Sequence, residues 1–189
     1  MVAVFFEGSG NPLSAEAFRE MLASAAGSDA DRAAAAYPLE GRSPGRAWAD
    51  VITDRAWACP NLDAYRAFAA RGPVYAYEFA DPAASSPAAL LPGDLAGGAT
   101  HGSEVPYLFD LTPGQPGFTP EQQRLADQMI GYWTRFAATG DPGAAGDQPW
   151  PPFAERGEIL TLAPGDPGTT IRSAVSFADM HHCDLWSPG

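Results

Sequence analysis

The chain has 189 residues, and its composition favours one folded domain. Hydrophobic residues make up 46% of the sequence, which is enough for a buried core. The 11 basic residues, all of them arginine, are outnumbered by 23 acidic residues, and the formal charge of −12 argues against nucleic acids and anionic membranes as partners. No apolar run reaches the roughly 18 residues of a membrane span, and residues 1–6 lack the basic region of a signal peptide, so we expect neither feature.

Helices are predicted to dominate the first 72 residues. Serine N-caps, an early proline and terminal glycines mark their boundaries, with Leu13 packing on Phe18 at the start of the first helix. The predicted helices cover residues 14–27, residues 29–37, a segment that begins at Ser43-Pro44, and residues 60–71. The third should bury Trp48, Val51 or Ile52, and Ala56, and the fourth should bury Leu62, Tyr65 and Phe68.

The second half mixes strands, loops and helices. Residues 73–79 are rich in β-formers and predict a strand, and the Pro/Ala/Gly/Ser-rich segment that follows, residues 81–98, predicts a long loop of the kind that is often functional. Thr119 and Gln122 form a capping-box pattern at the start of a helix over residues 119–138, whose apolar face is Leu125, Met129, Tyr132, Trp133 and Phe136. Residues 158–162 predict a second strand, and residues 177–186 predict terminal helical turns.

This order of elements predicts the last part of an α/β fold. Two strands do not make a stable open sheet alone, so the sequence predicts a helix-rich structure with a few strands of an incomplete sheet.

Two clusters of polar residues are candidates for chemistry. His181 and His182 lie beside Cys183 and Asp184, but adjacent residues of a helix point about 100° apart, so a structural role is favoured over a metal site. His101 follows the predicted strand and its long loop, where α/β proteins place reactive groups, although an ordinary loop histidine fits equally well.

The segment Gly41-Arg42-Ser43-Pro44-Gly45 matches the serine-nucleophile pattern G-x-S-x-G, and we reject it on physical grounds. No strand precedes it, and Pro44 has no backbone N–H to donate to an oxyanion. Ser43 is better explained as a helix N-cap.

Several segments together resemble the C-terminal part of type-B carboxylesterases, which include bacterial para-nitrobenzyl esterases and cholinesterases. The segments are Cys59-Pro60, residues 73–79, residues 98–109 with His101-Gly102-Ser103-Glu104, residues 132–142, residues 150–153 and residues 183–186. The resemblance implies an α/β-hydrolase fold of which residues 1–189 are the C-terminal portion.

The resemblance also implies residue roles. His101 corresponds to the histidine of the catalytic triad, and Glu104 to a position that orients its loop. In α/β-hydrolases the serine and the acid precede the histidine, and neither the serine elbow nor the glycine-rich oxyanion loop is in these residues. Glu7 is a poor replacement for the acid because it falls on the wrong side of Phe5 and Phe6.

The implied reaction is hydrolysis of a small-molecule carboxylic ester through an acyl-serine intermediate, with no cofactor or metal. One alternative is half of a split two-chain esterase, which an upstream reading frame with a serine elbow would favour. Another is a non-catalytic interaction module, which a stable partner-binding monomer without esterase activity would favour.

The resemblance finally implies a disulfide between Cys59 and Cys183. Two separate buried thiols are the alternative. A bond requires the two Cα atoms to lie within about 7 Å.

Overall fold

The computed structural model describes residues 13–84, 98–110, 117–143, 148–153 and 157–187. Glu7 and most of the predicted loop after residue 81 lie outside the described residues. The elements in chain order are α1 (Ala15–Ala26), a 3₁₀ turn (Gly27–Asp29), α2 (Ala30–Ala36), α3 (Pro44–Thr53), a π-helical turn (Asp54–Ala58), α4 (Cys59–Ala69), β1 (Ala76–Phe79), α5 (Val105–Leu108), α6 (Pro120–Thr139), β2 (Glu158–Leu162), β3 (Thr170–Ser173), α7 (Ala174–Met180) and α8 (Cys183–Trp186).

The first helix begins and ends at the capping residues that the sequence predicts. The Ser14 hydroxyl accepts the Ala17 backbone N–H at 3.1 Å, and Gly27 ends α1 with φ of +57°. Phe18 and Leu22 of α1 are buried in a cluster with Ala33, Tyr37, Ala47 and Val51. This cluster packs α1, α2 and α3 against one another.

Residues 44–69 form one helical run that contains the π turn. Ser43 caps it, as predicted, by accepting the Arg46 N–H at 3.1 Å. The buried row is Ala47, Val51, Asp54 and Ala58. The prediction that Ala56 is buried is wrong, because a row of residues four apart turns gradually away from the core along a helix.

The exposed face of α4 also departs from the prediction. Leu62 is buried, but the side chain of Phe68 is 63% exposed, so a helical spacing of apolar residues did not identify the buried ones here.

The described strands form a sheet in the order β1-β2-β3. β1 and β2 are parallel, with Ala76 opposite Ile159, and β2 and β3 are antiparallel, with Leu160 opposite Ile171. β3 was missed by the sequence analysis because it is four residues long and none of its residues is fully buried. Within the described residues, β1 pairs along one edge only.

The two faces of the sheet are covered by different helices. Ala76 and Ile159 pack with Leu62 of α4 and Phe177 of α7. Leu160 and Leu162 pack on the other side, where the cluster includes Leu125, Met129, Tyr132 and Trp150. The structure is therefore the helix-rich α/β arrangement that the sequence predicts.

Helix α6 confirms the predicted capping box. The Thr119 N–H donates to Gln122 Oε1 at 3.0 Å, and the Gln122 N–H donates to Thr119 Oγ1 at 3.2 Å. Leu125, Met129 and Tyr132 are buried as predicted, whereas Phe136 is half exposed.

The Cys59–Cys183 disulfide is present, with the Cα atoms 5.3 Å apart. It joins the first residue of α4 to the first residue of α8, across 124 positions of sequence. No helix in the described parts of the chain is long and apolar enough to cross a membrane.

Candidate active site

His101 lies at the tip of a tight turn downstream of β1. Gly98 and Gly102 have φ of +86° and +81°, values that L side chains rarely adopt, so glycine makes this turn possible. The Ser103 N–H and hydroxyl both donate to the Thr100 carbonyl oxygen, at 3.0 and 2.7 Å. Ser103 is fully buried, whereas His101 is exposed, so the turn is anchored from beneath and presents the imidazole outwards.

The imidazole of His101 stacks on the indole of Trp57. The ring centroids are 5.9 Å apart, and the planes are inclined by 24°. Neither ring nitrogen of His101 has a hydrogen-bond partner among the described residues. Among the described residues, the ring is therefore held by its face alone.

His101 lies at the edge of a cavity of about 450 Å³, which is within the size range of small-molecule sites. The cavity is bounded by the C-terminal end of β1, by the α3–π–α4 run and by α7. Its walls include Trp57, Tyr77, Glu78, His101, Glu104 and His181. Two of the predicted site residues, His101 and Glu104, therefore lie at the same cavity.

Glu104 is half buried at the end of the His101 turn, immediately before α5. Burial raises the pKa of Tyr77, and the negative charge of Glu104 raises it further. The carbonyl oxygen of Glu104 accepts the Tyr107 N–H at 3.0 Å. The orienting role of Glu104 stays a prediction.

A buried carboxylate fixes the framework beneath this turn. Asp81, which is fully buried after β1, accepts hydrogen bonds from the Tyr107 hydroxyl, from Gln122 Nε2 at 2.8 Å and from the Ala83 N–H at 2.8 Å. Tyr107 belongs to α5 and Gln122 to α6, so one carboxylate joins β1 to both helices. Because α5 follows the His101 turn directly, Asp81 helps to determine where that turn lies.

Asp81→Asn should lower the free energy of unfolding by about 2 kcal/mol. The asparagine amide group would face the three donors that now bind the carboxylate, and at least one of these buried hydrogen bonds would be lost. Asp127→Asn is the matched control, since Asp127 is exposed and accepts the exposed Gln123 side chain at 2.9 Å, and the change should alter stability by less than about 0.5 kcal/mol. Urea unfolding measures both variants. Equal losses in the two variants would show that Asp81 does not hold these elements together.

A second group of polar side chains was missed by the sequence analysis. His181 Nδ1 lies 2.6 Å from Asp54 Oδ1, and Nε2 lies 3.2 Å from Glu78 Oε1. Burial lowers the pKa of His181, but the hydrogen bonds to the two carboxylates outweigh burial and raise it to about 9. His181 is therefore a buried imidazolium at neutral pH.

The other members of the C-terminal polar cluster point elsewhere. The His182 ring meets the Tyr37 ring edge-on, with centroids 4.9 Å apart, and Asp184 pairs with Arg32 at 2.8 Å on the surface. Cys183 is in the disulfide. These four neighbours thus have separate structural partners, in agreement with the structural role favoured from the sequence.

Comparison with known proteins identifies the family. A model described as "Carboxylesterase family" matches residues 28–186, which is most of the chain. The chain belongs to the carboxylesterase family. This confirms the resemblance to carboxylesterases that the sequence shows, and with it the α/β-hydrolase fold.

Relatives of this carboxylesterase chain include acetylcholinesterase of Gallus gallus, 35% identical over 73% of the chain, and cocaine esterase of Homo sapiens, 31% identical over 72% of it. A solved structure of PNB esterase covers 95% of the chain with a TM-score of 0.64 and 25% identity. The chain spans 17% and 23% of the length of those two relatives and 35% of the solved structure.

Proposed function

We propose that the chain supplies the catalytic histidine of a serine carboxylesterase. The observation that supports this proposal is the position of His101, which lies in a hydrogen-bonded turn beyond the carboxyl end of β1 and at the edge of the cavity. Ligands of open α/β sheets bind outside the carboxyl ends of their strands, which supports this assignment.

The imidazole of His101 would act twice in ester hydrolysis. It would first take the proton of the attacking serine hydroxyl and pass it to the leaving alcohol, which forms the acyl-serine intermediate. It would then remove a proton from water, whose oxygen attacks the acyl carbon. The imidazolium would return that proton to the serine oxygen as the bond from this oxygen to the acyl carbon breaks, which releases the acid and restores the serine. A ring with both nitrogens free within the described residues suits a base that needs an acid on one side and a serine on the other.

The serine, the oxyanion donors and the acid must come from outside residues 1–189. The only glycine-flanked serine of the nucleophile pattern, Ser43, is occupied as the N-cap of α3. We infer that the remaining triad members are supplied by another part of the protein or by a separate N-terminal esterase chain. The substrate would be a small-molecule carboxylic ester, in keeping with the size of the cavity.

The purified 189-residue chain should hydrolyse p-nitrophenyl butyrate no faster than its His101→Ala variant, because no serine in it is placed as a nucleophile. Adding the polypeptide encoded upstream of the Met1 codon, if a reading frame there contains a serine elbow, should produce hydrolysis. A turnover by the chain alone that depends on His101 would contradict the assignment of the serine to another segment. Partner binding without hydrolysis in the combined preparation would favour the interaction module instead.

A further inference from the structure

The π-helical turn Asp54–Ala58 contacts His101 through one of its own side chains. It interrupts an otherwise regular helical run between α3 and α4. Such turns cost regular hydrogen bonding and occur frequently at functional sites. This one carries Trp57, the residue on which His101 stacks.

The C-terminal segment holds the first residue of the π turn. Asp54 is buried, and its Oδ1 lies 2.6 Å from the imidazole Nδ1 of His181. Its Oδ2 accepts the Tyr37 hydroxyl at 2.7 Å, and that hydroxyl accepts the Trp186 Nε1–H at 2.7 Å. His181 and Trp186 therefore fix the same carboxylate, one directly and the other through Tyr37.

The same segment also holds the far end of the turn. Cys59 follows Ala58 directly and is bonded to Cys183. Between the two ends, the Arg55 guanidinium lies 5.8 Å from the centroid of the Trp186 ring. We call His181, Cys183 and Trp186 the C-terminal clamp.

We propose that the C-terminal clamp positions His101: it holds the π turn at both ends, and the turn in its place holds Trp57 against the imidazole. Trp57, His181 and Asp54 are then positioning residues of the active site. The inference rests on the proposed catalytic role of His101.

The clamp needs the proton on His181. Two carboxylates face the two ring nitrogens, and only the imidazolium has an N–H for each of them. Loss of the proton leaves one nitrogen lone pair facing a carboxylate oxygen, so one of the two hydrogen bonds is lost. We expect the π turn to loosen as His181 becomes neutral.

The charged and titratable groups around His181 and its partners come from the π turn, β1, β3, α4 and the residue after α2. Asp54 faces it from the π turn and Glu78 from β1, and Arg172 of β3 lies 3.8 Å from the second oxygen of Glu78. Tyr37 donates to Asp54, and the pKa of Tyr65 in α4 is raised by burial and then by Glu78. Arg172 stays charged throughout and keeps a partner for Glu78, so the neutral ring would keep its one N–H on Nδ1 towards Asp54. That hydrogen bond would then lose the charge assistance of the imidazolium, which weakens the hold on the π turn.

The test is proton NMR of the His101 ring in the 189-residue chain, assigned by its loss in His101→Gln. Trp57→Leu should move the His101 ring signals to lower field, because the shielding indole face is removed, and Trp57→Phe should move them less. His181→Gln should shift them in the same direction as Trp57→Leu. Ser173→Ala is the matched control: it removes the N-cap of α7 without removing a residue of the clamp, and it should leave the His101 signals in place.

The unmodified chain provides a second measurement that does not depend on any variant folding. The His101 signals should show an inflection at the alkaline pH at which the His181 ring signals titrate. Absence of that inflection, or unshifted His101 signals in a folded His181→Gln chain, would overturn the proposal.

An activity measurement separates this inference from the proposed function. In the assembled esterase, Trp57→Leu should lower kcat roughly tenfold or more with little change in KM, since a misplaced base affects the chemical step. If the chain combined with the segment that supplies the serine does not hydrolyse esters, the proposed function is wrong. The NMR measurements still decide independently whether His181 is coupled to His101. If it hydrolyses esters and Trp57→Leu leaves kcat unchanged, the positioning role is overturned.

Discussion

His101→Gln is expected to lower kcat/KM of the assembled esterase by about a thousandfold for p-nitrophenyl butyrate. A positioned general base contributes roughly 10²–10⁴-fold, and glutamine keeps the size of the side chain but cannot take a proton from serine. Because His101 is exposed, the same change should alter the free energy of unfolding by less than about 0.5 kcal/mol.

His182→Gln is the matched control for this experiment. Its ring contacts Tyr37 and it is not among the residues that bound the cavity, so its loss should leave kcat/KM within about a factor of two. Glu104→Gln should have an intermediate effect of about tenfold, if it orients the turn rather than transferring protons. An active His101→Gln enzyme, or a His182→Gln enzyme that is equally impaired, would remove His101 from the triad.

The elements of this structure that sequence predicts well are those with local signals. Ser14, Ser43 and the Thr119–Gln122 pair cap helices where they should, because a cap depends only on residues within one turn of it. The helix α6 and the strand β2 follow from their periodicity and β-forming content in the same way.

Contacts between distant segments had no such signal. Asp54, Glu78 and His181 are far apart in sequence and meet only when the π turn, β1 and α7 pack together. The exposure of Phe68 was missed for a related reason, since spacing shows which residues share a helix face but not which part of that face another element covers. The π turn itself has no sequence marker, and its first residue, an aspartate, does not belong to the predicted apolar face.

The resemblance to a family supplied what local patterns lacked. The role proposed for His101 has this source, because a position after a strand is equally compatible with an ordinary loop residue and only the His-Gly-Ser-Glu segment favours a catalytic one. The pairing of Cys59 with Cys183 came from the same source, because cysteines 124 positions apart carry no local indication of contact.

Loss of the Cys59–Cys183 disulfide should lower the free energy of unfolding by roughly 5 kcal/mol in the chain-entropy model. The bond closes a loop of more than half the chain, so breaking it gives the unfolded state many more conformations. In the folded state it also joins α4 to the C-terminal clamp, on the side of the sheet where Leu62 and Phe177 pack. The expected observation is a large fall in the urea midpoint of the Cys59→Ala/Cys183→Ala chain.

Both cysteines are buried, so replacing them by alanine removes packing contacts as well as the cross-link. A second experiment separates the two effects. Unmodified chain in a strong thiol reductant keeps the side chains and loses only the bond, so its loss of stability measures the cross-link. The double alanine chain should be indifferent to the reductant, and its additional loss measures packing. A reduced chain that unfolds within about 1 kcal/mol of the oxidised one would show that the contacts of His181 and Trp186 hold the C-terminal segment without the bond. In that case the noncovalent half of the clamp would be sufficient to keep the π turn in place.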